Sequence, residues 1–177
     1  PDIFVEDAMA EVLVNSLLEV ELRKRVAVTA IGSKSSFKTI AKFLRDSNTE
    51  HRSLLLFDGD VSTNEVKDLA KETGAPDFTG AYSFSTPMLE LHPASINGRI
   101  SVGRLPGDAC PEKWLIHALL AGDKALEKFA ESVGLLRGPQ EASAIVEEAC
   151  TTGDWHRVFH ELGTRIGLTA DASCMSV

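Results

Sequence analysis

Residues 53–63, SLLLFDGDVST, decide how the chain reads. Leu54 to Phe57 form an apolar run without polar alternation, and the run ends in Asp58 and Asp60, one residue apart. Such a run predicts a strand covered on both faces, as in a parallel sheet, rather than one with a solvated side. Two carboxylates this close raise each other's pKa unless a cation or a basic partner neutralises them. Asp-Gly is ordinary turn chemistry, and a divalent metal is the other reading.

Working outward, the same alternation recurs. DIFVE (2–6) is a short apolar run, and DAMAEVLVNSLLEVELRK (7–24) follows with Met9, Val12, Leu13, Leu17 and Val20 at helical spacing. VAVTAIG (26–32) is β-branched and apolar; SKSSFKTIAKFLRD (33–46) then places Phe37, Ile40, Ala41 and Leu44 on one face. After the quoted run, STNEVKDLAKETG (62–74) carries Ser62 as N-cap, Glu65 completing a capping box and Gly74 as the stop. Three strand–helix units in succession predict an α/β fold, a parallel sheet flanked by helices. Residues 75–97 are broken by Pro76, Gly80, Pro87 and Pro93, and RISVGRL (99–105) reads as a fourth strand. Beyond it the pattern is helical: Pro111 opens EKWLIHALLA, Asp123 caps KALEKFAESV, Pro139 opens QEASAIVEEA, and Asp154 caps WHRVFHELGTRI. The expected organisation is an α/β core over 1–104 and a helical segment over 105–177.

A chain of 177 residues with 44% hydrophobic and 25% charged composition can bury a proper core. No stretch is long and apolar enough to span a membrane, and PDIFVEDAM has no basic region before an apolar one, so neither a membrane segment nor a secretory signal is expected. The chain opens at Pro1 and closes on TADASCMSV, which reads as another helix beginning; a domain from a longer protein is the expectation. Cys110, Cys150 and Cys174 are far apart and without Cys-x-x-Cys spacing, which points to a reducing compartment, the cytoplasm, and away from a zinc site. The net charge of −8 weighs against nucleic-acid binding, although divalent ions held by acids reverse the sign locally.

In open parallel sheets, functional groups collect at the carboxyl ends of the strands. Glu6 with Asp7 closes the first strand here, and Asp58 with Asp60 closes the third. Carboxylates with water suit Mg²⁺ or Mn²⁺. The plainer reading makes Asp7 a helix start and Asp60 a turn residue, but it gives Glu6 and Asp58 no purpose. Lys34, Lys38, Lys42 and Arg45 recur at near-helical spacing opposite the apolar stripe of their helix, a basic line able to track a DNA backbone or simply to face solvent. GSKSS lacks the Gly-x-x-x-x-Gly-Lys pattern, so nucleotide binding is not expected there.

IFVEDAMAEVLVNSLL, AIGSKSSFKTIAKFL and LLLFDGD together resemble a Toprim domain, the metal-binding unit of topoisomerases, primases and certain nucleases. GRLPGDACPEKWLIHAL and GDWHRVFHELGTRIGL further resemble the helical part of the overcoming-lysogenization-defect nucleases, in which an ATPase precedes the Toprim domain. The resemblance covers nearly the whole chain. It implies a Rossmann-like Toprim fold and a DNA endonuclease or nickase using two Mg²⁺ or Mn²⁺ ions. It also implies an attached N-terminal ATPase, a homodimer, and a role in phage defence or DNA repair. Glu6, Asp58 and Asp60 carry over as metal ligands and catalytic acids, with Glu112 in PEKW as a further acid. Ala10 stands where such nucleases often have a second glutamate, and Glu11 beside it is the substitute. No late lysine stands in TTGDWHRVF; His156 is the nearest basic residue and Arg157 the next.

Three other readings use the same features. A response-regulator receiver, phosphorylated on Asp58, also opens with an acid pair, but FDGDVST lacks the usual following proline and no later Lys-Pro pair is found. A haloacid-dehalogenase-type phosphatase places its Asp-x-Asp on the first strand, not the third. A Toprim module with a degraded site would act as a scaffold, and Ala10 with the missing lysine speaks for it.

Overall fold

The computed structural model describes residues 1–47, 52–73, 100–105, 107 and 109–168. It divides into two compact units, Pro1–Pro111 and Glu112–Val177. Gly74 and the proline-broken stretch 75–97 lie outside the described residues.

The first unit holds strands β1 (Asp2–Val5), β2 (Ala27–Ala30), β3 (Ser53–Phe57) and β4 (Ile100–Arg104), all parallel, in the order β2-β1-β3-β4. Helices α1 (Ala8–Leu17), α2 (Val20–Arg23), α3 (Lys34–Asp46) and α4 (Thr63–Thr73) lie between them in sequence. This is the α/β arrangement with a parallel sheet flanked by helices that the alternating pattern predicts, and it is compatible with a Rossmann-like fold. All five residues of β3 are buried, which explains why its sequence shows no alternation.

The sheet's two faces follow from the period of two. Phe4, Leu55, Phe57, Ile100 and Val102 pack with Phe37 and Ala41 of α3 and with Val66, Leu69 and Ala70 of α4. Phe37 and Phe57 are the centre of that layer, with ring centroids 4.2 Å apart. Residues of the other parity, Ile3, Val5, Leu54 and Leu56, are buried as well, and α1 lies against β1 and β2. α4 starts with the expected reciprocal cap: Glu65 N–H donates to Ser62 Oγ at 3.3 Å, and Ser62 N–H donates to Glu65 Oε2 at 3.3 Å.

One expectation needs correcting here. The single helix read over 7–24 is two, because the backbone leaves the helical region at Leu18 and Glu19, with ψ of 132° and 148°. Bending there buries Leu18 and leaves Leu17 and Val20 exposed, so the buried face of α1 is Ala10, Leu13 and Val14. The carbonyl of Leu18, freed from the helix, accepts from Arg23 Nη2 at 3.1 Å.

The second unit is helical: α5 (Pro111–Leu120), α6 (Asp123–Val133), α7 (Pro139–Cys150), a 3₁₀ turn at Trp155–Arg157, and α8 (Val158–Arg165). Ile116, Val146, Ala149, Val158 and Leu162 form one buried cluster; Leu126, Ala130 and Ala142 form another. α6 stops at Gly134, whose φ of 72° allows Leu135 N–H to reach back to Ala130 O at 2.9 Å. Gly122 rather than Asp123 occupies the N-cap of α6. Asp154 does cap the 3₁₀ turn, accepting from His156 N–H at 3.1 Å. Among the described residues no helix is long and apolar enough to cross a membrane.

Candidate functional site

β1 and β3 are adjacent at the centre of the sheet, with Val5 level with Leu56. Glu6 therefore leaves β1 level with Phe57, and Asp58 leaves β3 one residue further on. The carboxyl edge thus carries Glu6 and Asp58 on neighbouring strands. Hydrogen bonding between β1 and the segment after β2 continues past the strand ends: Ile31 N–H donates to Val5 O at 3.0 Å and Gly32 N–H to Glu6 O at 2.8 Å. This draws the start of α3 over the same edge.

The other acids nearby have backbone partners. Asp7 caps α1, accepting from Ala10 N–H at 2.9 Å. Glu11 Oε2 accepts from Ala30 N–H at 3.0 Å, tying α1 to the end of β2. That bond gives the residue offered as a substitute ligand a structural purpose of its own. Glu6 differs, since its Oε2 is buried and has no hydrogen-bond donor among the described residues. Its carboxyl is pushed above the usual range, chiefly by burial, while the Lys34 backbone amide that hydrogen-bonds it pulls the other way. The charges of Asp60 and Asp7 raise it further, and the Lys34 ammonium opposes them. A buried acceptor without a donor, in a field of like charge, is a place a cation would stabilise.

Asp58 is 6% exposed, whereas Asp60 is open to solvent. The intervening turn is held from the neighbouring strand: Arg104 Nη1 donates to Gly59 O at 2.7 Å and to Val61 O at 3.2 Å. Val61, itself buried, pins the end of the turn, and its N–H donates to Asp58 O at 3.2 Å. Arg104 was not singled out by the sequence; a basic residue closing β4, beside a strand that ends in aspartates, is the signal that points to it.

Glu6, Asp58 and Asp60 are brought to one edge but not into a closed cage: among the described residues, no three His, Cys, Asp or Glu side chains are grouped to hold one ion. Such an edge fits Mg²⁺ or Mn²⁺ better than a metal that requires a full protein shell, because Mg²⁺ keeps several waters and uses one or two carboxylates.

Glu112 and His156 form a pair of their own in the second unit. His156 Nδ1 lies 3.3 Å from Glu112 Oε1, with the carboxylate side chain 7% exposed and the imidazole 71% exposed. Glu112 Oε2 is buried without a donor among the described residues. Beside them, Lys113 Nζ stands 5.4 Å from the centre of the Trp155 ring, and His117 meets that ring edge-on at 5.7 Å. Arg157, the next basic candidate, pairs instead with Glu161 at 3.7 Å.

The basic line of α3 is exposed throughout but is not uniform. Lys34 Nζ bonds Glu65 Oε1 at 3.1 Å, and Arg45 Nε bonds its neighbour Asp46 at 3.0 Å. Lys38 and Lys42 form no ion pair among the described residues. Comparison of the chain with protein-family models, with curated proteins and with solved structures finds no match.

Proposed function

We propose that the chain is a divalent-metal-dependent DNA endonuclease or nickase of the Toprim type, related to the overcoming-lysogenization-defect nucleases, working with an attached ATPase and as a homodimer. One observation carries this reading: Glu6 and Asp58 end the two adjacent central strands of a parallel sheet, with Asp60 beside them. The buried, donorless Oε2 of Glu6 supports it.

In this reading Glu6, Asp58 and Asp60 hold Mg²⁺ or Mn²⁺, which when bound supplies water activation and stabilisation of the leaving oxygen. The hydrolysis consumes one water: its oxygen bonds to phosphorus, the bond from phosphorus to one deoxyribose oxygen breaks, and a proton ends on that oxygen. The chain's own contribution is positional. Arg104 fixes the carbonyls of Gly59 and Val61, and so the turn that presents Asp58 and Asp60. The backbone amide of Lys34 favours the charged form of the Glu6 carboxylate. Lys38 and Lys42, exposed along α3, suit phosphates of the duplex backbone and carry no sequence information.

The strand order β2-β1-β3-β4 also serves receiver domains, and that observation sets the comparison in the test. Supercoiled plasmid is incubated with the protein and Mn²⁺, with and without excess chelator, beside the variant Asp58→Asn. Nicking that needs the metal and disappears in the variant supports the proposal. Nicking that survives chelator or Asp58→Asn overturns it. Labelling of Asp58 by acetyl phosphate without nicking establishes the receiver instead, and Mn²⁺ binding with no cleavage under any condition favours the scaffold.

A further inference from the structure

The late lysine that the resemblance calls for is absent from TTGDWHRVF, yet the acidic edge does contain a lysine from another part of the chain. Lys34 is the first residue of α3 and lies two positions after Gly32, whose N–H is bonded to the Glu6 carbonyl at 2.8 Å. Its side chain reaches across to α4, where Nζ meets Glu65 Oε1 at 3.1 Å. Glu65 is a fixed post, because its other oxygen accepts from Ser62 Oγ at 2.9 Å and from Ser62 N–H at 3.3 Å. The N-terminal ends of the two helices that follow β2 and β3 are thus bridged by one ammonium, at the edge where those strands finish.

Resting on the nuclease reading, we propose that Lys34 is a substrate-contacting residue of this edge, whose ammonium engages the phosphate brought to Glu6 and Asp60, and is not part of the backbone-tracking line continued by Lys38 and Lys42. Three observations support the assignment. Glu6 and Asp60 both act electrostatically on Lys34, so the ammonium is within the field of the edge. The Lys34–Glu65 pair is half-exposed, with side-chain exposures of 55% and 50%, so it is weak and exchangeable for a stronger partner. A phosphodiester approaching several carboxylates is repelled unless cations offset them, and a lysine aimed at the transferred phosphoryl group stabilises charge that accumulates there during reaction. Lys38 and Lys42 have no such partners at the edge among the described residues.

The experiment measures three quantities on the same protein: Mn²⁺ binding by calorimetry, affinity for duplex DNA without metal, and nicking rate at saturating DNA. Lys34→Met should lower the saturated rate about a hundredfold while changing the DNA Kd by less than about threefold, since one phosphate contact among many is lost. Mn²⁺ should bind roughly three- to tenfold more tightly, because a positive charge facing the ions is removed. Lys34→Arg should restore most of the rate. If Lys34→Met melts lower than the parent, Lys34→Gln, which keeps a polar partner for Glu65, carries the comparison. A Lys34→Met rate equal to wild type overturns the inference while leaving the nuclease reading intact. So does a variant that weakens DNA binding with no loss at saturation, which would return Lys34 to the tracking line. A wild type that takes up no Mn²⁺ overturns the nuclease reading and this inference together.

Discussion

Replacing Glu6 by glutamine isolates what the acidic edge does without metal and with it. The substitution keeps the side chain's shape and the acceptor for the Lys34 amide, and it removes the charge that burial and the neighbours Asp60 and Asp7 disfavour. In the folded chain the carboxyl holds its proton to a higher pH than in the unfolded chain. Between the two pKa values folding takes up a proton, so stability falls as pH rises through that window, and the penalty persists above it. The metal-free variant should therefore melt no lower than the parent at pH 7. The difference should vanish below about pH 4.5, where both side chains are neutral. Mn²⁺ should reverse the order. An ion present at a hundred times its Kd stabilises the parent by about 2.7 kcal/mol. For a unit the size of Pro1–Pro111, a kcal/mol moves the midpoint by about 4–8 °C, so the expected rise is about 11–22 °C. Losing one of three carboxylates, at about tenfold in affinity, leaves about 1.4 kcal/mol and about half that rise. Trp114 and Trp155 both belong to the second unit, so scanning calorimetry rather than tryptophan fluorescence is the assay. A Glu6→Gln variant that melts lower than the parent at pH 7 without metal, or gains as much from Mn²⁺, would refute the reasoning.

Two further outcomes are expected. Charge reversal at Lys38 and Lys42 should weaken duplex binding in every sequence context and make the slope of log K against log salt less steep by about two; titrations at several salt concentrations check this, and an unchanged slope returns the face to ordinary solvation. Glu112→Gln and His156→Ala should be non-additive in stability, with a coupling of about 0.5–1 kcal/mol, small because the imidazole is exposed; denaturant unfolding of the two single variants and the double variant measures it, and strict additivity would show that the 3.3 Å contact does not join them.

What the sequence made legible was local. β3 was readable because a strand covered on both faces has no polar phase to hide, and the inner stripe of α3 because Phe37, Ile40, Ala41 and Leu44 recur at the helical period. The Ser62–Glu65 cap was readable because both partners lie within one turn. The break at Leu18–Glu19 was not, since neither glycine nor proline marks it; burial of Leu18 decides the bend, and burial depends on the sheet. The backbone bond of Glu11 was hidden for a related reason. Its partner, Ala30 N–H, comes alongside only when β2 returns beside β1. Arg104 and the turn at Gly59 are likewise joined by the pairing of β3 with β4, which no spacing within either segment reveals.

The basic line of α3 shows where periodicity stops being informative. Helical spacing puts Lys34, Lys38 and Lys42 on one face and assigns them one role. It says nothing about how far along the axis the sheet edge lies. At 1.5 Å per residue, Lys38 stands about 6 Å and Lys42 about 12 Å beyond Lys34. Exposed charges are largely screened beyond about 8–10 Å at ordinary salt. Position along the helix, set by Gly32 bonding to the Glu6 carbonyl, therefore splits one sequence pattern into two physical environments. Lys34 shares the field of Glu6 and Asp60, whereas Lys42 is too far along the helix to share it through solvent. A strand register that the sequence does not state thus separates a lysine at the edge from lysines that only a long polyanion would meet.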